Sequence, residues 1–282
     1  MDDKWLPIGD YVKDFVDFLL NHFQWLFDII AASIGWVSGI VESLLTSMPI
    51  WLLGGLLVGL AFWRVGKGFA LFTLAAIAVL HGIGLWDQTV VTLSLVLAST
   101  VAALIAGIPL GIWAARSDRV EAVVRSLLDF MQTMPAFVYL IPAAMFFGLG
   151  RVPGMFATVI FAMPPVVRLT NLGIRQVRRE MIEAGLAFGC TPTQLLFKVQ
   201  IPNAMPSIMA GINQTIMMAL SMVVIASMIG AGGLGDEVLR GIQRLDVGLG
   251  FEGGLGMVLL AIILDRITES FGRGRKAPRA EH

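Results

Sequence analysis

Along most of this chain apolar residues do not alternate with polar ones at a strand's period of two. They run almost uninterrupted for about 20 positions at a time, the length an α-helix needs to cross a bilayer. Seven such runs stand at 43–63, 68–86, 89–114, 125–149, 152–172, 204–231 and 250–270. The last is the weakest, because its apolar centre, Gly253 to Leu264, is short and Asp265 and Arg266 follow it. Residues 1–42 are patterned differently. Asp14, Asp17, His22 and Asp28 interrupt them, while Phe15, Phe18, Leu19, Phe23 and Phe27 recur at helical spacing on the other side. An Asp at the centre of a spanning helix costs about 2.5–3.5 kcal/mol. The segment is therefore read as an amphipathic helix, lying on the membrane or packed on the protein's own flank.

Composition supports insertion. Of 282 residues, 57% are hydrophobic and 14% charged, with a mean hydropathy of +0.81; soluble domains carry about 25% charged residues. The formal net charge of zero argues against a nucleic-acid partner. Cys190 is the single cysteine, which excludes an internal disulfide and a cysteine-based metal cluster. The opening MDDKWLPIGD has no basic stretch leading into an apolar run and does not read as a cleaved signal peptide. Assigning successive connections to alternate sides puts most Lys and Arg on one side: Arg64 and Lys67; Arg116, Arg119 and Arg125; Arg168, Arg175, Arg178, Arg179 and Lys198; Arg266, Arg273, Arg275, Lys276 and Arg279. The richer side is cytoplasmic by the positive-inside rule. That predicts an external N-terminus, a cytoplasmic C-terminus and an odd number of spans. The segment 272–282 reads as a basic tail for anionic headgroups.

Gly230, Gly232, Gly233 and Gly235 include the G-x-G-x-x-G spacing of a dinucleotide-binding loop. That loop works only between a strand and a helix. Here a membrane span precedes it and the expected topology puts it outside, so it is read as a close-packed, flexible turn at the external end of the sixth span. Gly66-Lys67 lacks the first glycine and the Ser/Thr of a phosphate loop. His22, His81 and His282 are scattered, and no catalytic constellation is visible. No cofactor site is read in this chain.

The most informative stretch joins the fifth and sixth runs, REMIEAGLAFGCTPTQLLFKVQIPNAMPSIMAG. Met181 to Phe188 suits a short helix closed by Gly189. Thr191-Pro192-Thr193-Gln194 has the form of a capping box with proline at the first helical position. Leu195, Leu196 and Val199 give the second helix an apolar face; Pro202 is expected to end it and Pro206 to open the next span. The result is a helical elbow on the cytoplasmic side, whose small residues Ala184, Gly185 and Ala187 would let a partner approach closely. Local physics equally allows an amphipathic loop folded on the membrane.

Glu183-Ala184-Gly185, Gly189 and Val199-x-Ile201-Pro202 resemble the EAA loop of permease subunits of bacterial ABC importers, with Gly in the third place and Val and Ile as the later aliphatics. Further stretches, among them MQTMPAFVYLIP, FAMPPVVRLTNLGIRQV and LSMVVIASMIGAGGLG, are similar to the glycine betaine/proline branch, from about Trp86 to Thr268. The resemblance implies a type I importer permease bundle, with peripheral helices over 43–86 and a core over 87–271 containing the coupling loop 173–205. It implies a homodimer in the bilayer, two cytoplasmic ATPase subunits that bind ATP and Mg and receive the elbow, and an external binding protein. Quaternary amines such as glycine betaine, proline betaine, choline or carnitine would be the cargo. An ATPase-independent carrier, or a scaffold that transports nothing, would have to treat the loop's spacing as accident; few ionisable residues stand well inside the runs, as an ion-coupled carrier would need.

Candidate pathway residues come from two places. The fourth run is interrupted by Pro135 and Pro142, and irregular backbone is tolerated in a membrane where it is buried or lines a cavity. Gln132, Thr133, Phe137 and Tyr139 lie there, and the two aromatics suit a quaternary ammonium through cation–π attraction. Asn213 and Gln214 interrupt the sixth run. For all of these, helix-to-helix contact is the competing role.

Overall fold

Every hydrophobic run coincides largely with helix, and two exceptions to the expected spans change the architecture. A computed structural model describes residues 8–272. All regular structure among the described residues is helical: α1 (Ile8–Thr46), α2 (Ile50–Arg64), α3 (Lys67–Gly82), α4 (Trp86–Arg116), α5 (Asp118–Thr133), α6 (Leu140–Phe147), α7 (Arg151–Ala162), α8 (Pro164–Arg175), α9 (Arg179–Ala187), α10 (Pro192–Leu195), α11 (Ile201–Ala226), α12 (Leu234–Arg244) and α13 (Val247–Gly272). The basic tail from residue 273 onward lies outside the described residues.

The first exception is at the N-terminal end. The expected amphipathic segment does not stop at residue 42. It continues to Thr46 as one helix kinked at Phe23, apolar enough over Gly9–Thr46 to count as a candidate span by length and composition. Its second half lies along the flank of the bundle: Phe27 stacks on Phe146 at 4.4 Å and Leu45 joins the main core. What remains of the first two expected spans is a pair of short helices, α2 with 15 residues and α3 with 16. At 1.5 Å per residue each covers about 22–24 Å, less than the roughly 30 Å of hydrocarbon. Trp51 and Trp63, at the two ends of α2, are 73% and 72% exposed, suited to the two interfaces of a locally thinned bilayer.

The second exception is the fourth run, which is not one straight span. It breaks at Pro135, where α5 and the following 3-10 turn and α6 are bent by 108°. Pro142 sits in the first turn of α6 and breaks nothing. α5 is amphipathic, not apolar throughout, and buries only Val124, Leu128 and Met131. Among the described residues, five helices are long and apolar enough to cross a membrane, or up to six if this bent pair is one span.

The centre is built on α8. Gly107 and Gly111 of α4, spaced as a G-x-x-x-G pair, face it so closely that an added Cβ would lie 2.6 Å from Val166 and 2.7 Å from Thr170. On its other side Gly211 of α11 and Gly173 of α8 itself allow the same approach. Lipid tails are as apolar as leucine, so close packing of small residues is what joins such helices. Cross-contacts sort the helix ends onto two faces. One face holds Glu42 with Arg151, Thr92 with Leu234, and Gly150 with Ile229. The other holds Arg64 with Ser270, and Arg175 with Ala114 and Asp118.

Candidate functional site: elbow, cleft and glycine turn

The elbow forms as its sequence dictates. α9 closes at Phe188, and Gly189 takes φ +76°, a left-handed conformation in which Cys190 N–H reaches back to the Gly185 carbonyl at 3.0 Å. The capping box is complete: Gln194 N–H donates to Thr191 Oγ1 at 3.3 Å and Thr191 N–H donates to Gln194 Oε1 at 2.9 Å. Pro202, however, does not end the second helix. α10 passes through a π-turn at Leu196–Gln200 straight into α11, so Pro192–Ile229 is one continuous span candidate. The wider turn bonds Ile201 N–H to Leu196 O, and Asn203 Nδ2 donates to Val199 O at 2.7 Å. A proline in the first turn of α11 is therefore tolerated, and Pro206 lies inside that helix.

Gly185 serves the elbow's own packing. A Cβ there would sit 2.7 Å from Leu195 Cδ1, so its small size seats α10 against α9 and not a partner against α9. Glu183, Ala184, Leu186, Ala187 and Gly189 are exposed, and Phe188 is 89% exposed. This outward face carries an acid, small residues and one large apolar ring.

A cleft of about 610 Å³ opens between α5 and α8, with α11 at its back. Gln132 and Gln214 line it together. The other pathway candidates lie elsewhere. Thr133 is exposed and donates to Phe130 O at 2.9 Å. Phe137 is exposed on the 3-10 turn. Tyr139 is half-buried, meets Phe161 edge-on at 6.1 Å and donates its hydroxyl to the Met131 carbonyl. It thereby satisfies backbone that the break in α5 leaves open. Asn213 donates to Asp265 at 3.0 Å and accepts from Thr268, joining α11 to α13.

Charged residues in the cleft were not anticipated. Arg168 interrupts the 25-residue span candidate Arg151–Arg175 and pairs with Asp129 of α5. Nearer the elbow, Arg175 binds Asp118 at 2.7 Å, Asn171 at 2.9 Å and the Ala114 carbonyl at 2.9 Å. The available signal was an arginine inside an apolar run, together with Asp129 and Gln132 three apart on one helical face.

The glycine turn lies on the face opposite the elbow. After a 3-10 turn at Ser227–Ile229, Gly230, Gly232 and Gly233 take φ +83°, +90° and +84°. Gly150 N–H donates to Ile229 O at 2.8 Å, and Leu234 N–H donates to Thr92 Oγ1 at 2.8 Å. At Gly235 a Cβ would meet Val224 Cα at 3.0 Å. The turn is thus close-packed and pinned at both ends. It leads into α12, an amphipathic helix not foreseen from the sequence. There Glu237 is 6% exposed and accepts from Arg240 at 3.0 Å. Burial lifts the neighbouring Asp236 carboxyl above the usual carboxylate range, with Arg240 opposing the shift and Glu237 adding to it.

The described residues thus form a helical bundle with an exposed elbow between α8 and α11. The fold matches chains of the MetNI methionine ABC transporter in inward-facing conformations, with a TM-score of 0.61 at 20% identity over 67% of this chain and 94% of that one. The chain belongs to the family of binding-protein-dependent transport system inner membrane components, which matches residues 107–276. It is therefore a multi-pass inner-membrane permease. Over 273 residues it is 49% identical to the glycine betaine/proline betaine transport system permease protein ProW of Escherichia coli, covering 96% of this chain and 77% of that protein. It is 50% identical to the glycine betaine/carnitine transport permease protein GbuB of Listeria monocytogenes, covering 96% and 98%. The glycine betaine transport system permease protein OpuAB of Bacillus subtilis is 48% identical over 273 residues.

Proposed function

We propose that this chain forms the membrane path of an ATP-driven importer for quaternary-amine solutes of the glycine betaine type. The observation that carries the reading is the elbow: Glu183, Ala184 and Phe188 present an ordered, outward face on the side where Arg64, Arg116, Arg175, Arg178 and Lys198 collect. Under the positive-inside rule that side is cytoplasmic, with the N-terminus outside and the C-terminus inside. Two copies of the chain enclose the path, each contributing a cleft between its own α5 and α8. Two ATPase subunits, holding ATP and Mg, receive the elbows. Because α10 is continuous with α11 and α9 joins α8 through three residues, movement of the elbow is passed to both central helices. A binding protein docks on the opposite face, near the glycine turn.

The test is reconstitution in vesicles with the cognate ATPase and binding protein. Uptake of glycine betaine that requires ATP, the binding protein and an intact elbow is expected. Uptake that proceeds without ATPase, or on an ion gradient alone, would overturn the proposal.

A further inference from the structure

The cleft is lined by an ion pair whose two members are both open to it in part. Asp129 and Arg168 stand on opposite walls, on α5 and α8, with side chains 58% and 40% exposed. The bond between them is the only one either makes among the described residues. Arg175, about 10 Å along α8 at 1.5 Å per residue, is instead held by three partners. Charges inside a spanning segment are costly and mark ligand pathways by default. An ion pair this open contributes only about 0–1 kcal/mol, so a competing ligand separates it readily. The cleft, about 610 Å³, falls within the range of roughly 300–1,000 Å³ common for small-molecule sites. Gln132 lies one turn beyond Asp129 and Gln214 faces it from α11, adding neutral donors and acceptors.

We propose that Asp129 and Arg168 form a transient zwitterion site in the permease itself, the ligand's carboxylate exchanging onto Arg168 and its cationic end onto Asp129. The proposal rests on the importer reading. Its physical core is charge balance. A zwitterion replaces both halves of the pair at once and leaves no charge without a partner. A simple cation such as choline occupies Asp129 and strands Arg168, and a simple anion does the reverse. The site therefore selects betaine-like solutes over choline even before any contribution from a binding protein.

Saturation-transfer NMR on the complete permease–ATPase complex in nanodiscs, free of nucleotide and binding protein, tests this with glycine betaine, choline and acetate as probes. Wild type should show betaine contact and neither of the others. Arg168→Gln and Asp129→Asn should each weaken betaine about tenfold or more, the loss of one charge-assisted contact. Arg168→Gln should gain choline, which a merely structural role would not produce. The double swap Asp129→Arg with Arg168→Asp keeps the pair and should restore betaine. Equal betaine binding in wild type and both neutral variants, choline binding wild type as well as betaine does, or no betaine contact at all, would each overturn the site. ATP-dependent uptake by wild type, measured in parallel, separates the readings: uptake without this binding removes the site alone, whereas absence of uptake removes the importer function.

Discussion

Alanine at Gly233 should be far more damaging than alanine at Gly232, one residue away. Both glycines have left-handed φ, +84° and +90°, and an L-side chain in that region costs about 1–2 kcal/mol. At Gly232 nothing further opposes it, since the nearest atom to a new Cβ would be Val91 Cγ1 at an ordinary 3.7 Å. At Gly233 the Cβ would fall 2.5 Å from Thr92 Oγ1 and 3.2 Å from Thr92 N. The hydroxyl that accepts from Leu234 N–H must then move, leaving a buried donor without a partner, which costs about 1–3 kcal/mol more. The summed expectation is about 2–5 kcal/mol at Gly233 against about 1–2 kcal/mol at Gly232. Thr92→Val isolates the hydrogen bond, with about 1–3 kcal/mol and no clash. Thermal denaturation of the purified permease should rank wild type, Gly232→Ala, then Gly233→Ala, with transport falling in the same order. Matching melting temperatures for the two alanine variants would refute the argument that Thr92, not φ alone, fixes this turn.

At the elbow, Gly189→Ala pays only for its φ of +76°, about 1–2 kcal/mol; Gly189→Asn should be milder, because Asn visits that region more readily. Chemical denaturation of the assembled complex would separate the two, and equal losses would count against the φ argument. Phe188→Ala, at a ring 89% exposed, should leave the melting temperature unchanged and weaken ATPase association severalfold in pull-down titrations; unimpaired association would place the contact elsewhere. Asn213→Ala strands Asp265 between α11 and α13 and should cost about 1–2 kcal/mol, the scale of interhelical polar contacts in membranes, seen as a lower melting temperature. Arg151→Ala breaks an exposed pair with Glu42 and should change stability by under about 1 kcal/mol; a larger loss would mean that α1 depends on that pair.

How far the sequence could be read depended on whether a feature was local. The elbow's caps were legible almost atom by atom, because a capping box and a left-handed glycine are decided within a few residues. The break at Pro135 was legible as well, since a missing N–H acts on its own helix. The continuity through Pro202 was not: a π-turn leaves no composition signal, and the usual helix-stop meaning of proline was overridden by a first-turn position. Nor could residue spacing show that Gly185 faces Leu195 or that Tyr139 reaches back to Met131. Those depend on which helix lies against which. Length misled at α2 and α3, where the apolar runs 43–63 and 68–86 extend beyond helix boundaries at Ile50 and Gly82, and α12 carries too little apolar sequence to register as a run.

The π-turn at Leu196–Gln200 sets an angular phase. Each residue of an α-helix turns the chain by about 100°, and a π-turn is in effect one residue added to a helix. The wide turn absorbs that extra residue: removing one residue there restores an ordinary α-turn, keeps α10 and α11 collinear and leaves the elbow nearly in phase. The same deletion in the regular helix of α11 would swing everything upstream by about 100° about the axis. The π-turn is thus the one place in this span where the chain can lose a residue without misaiming the elbow.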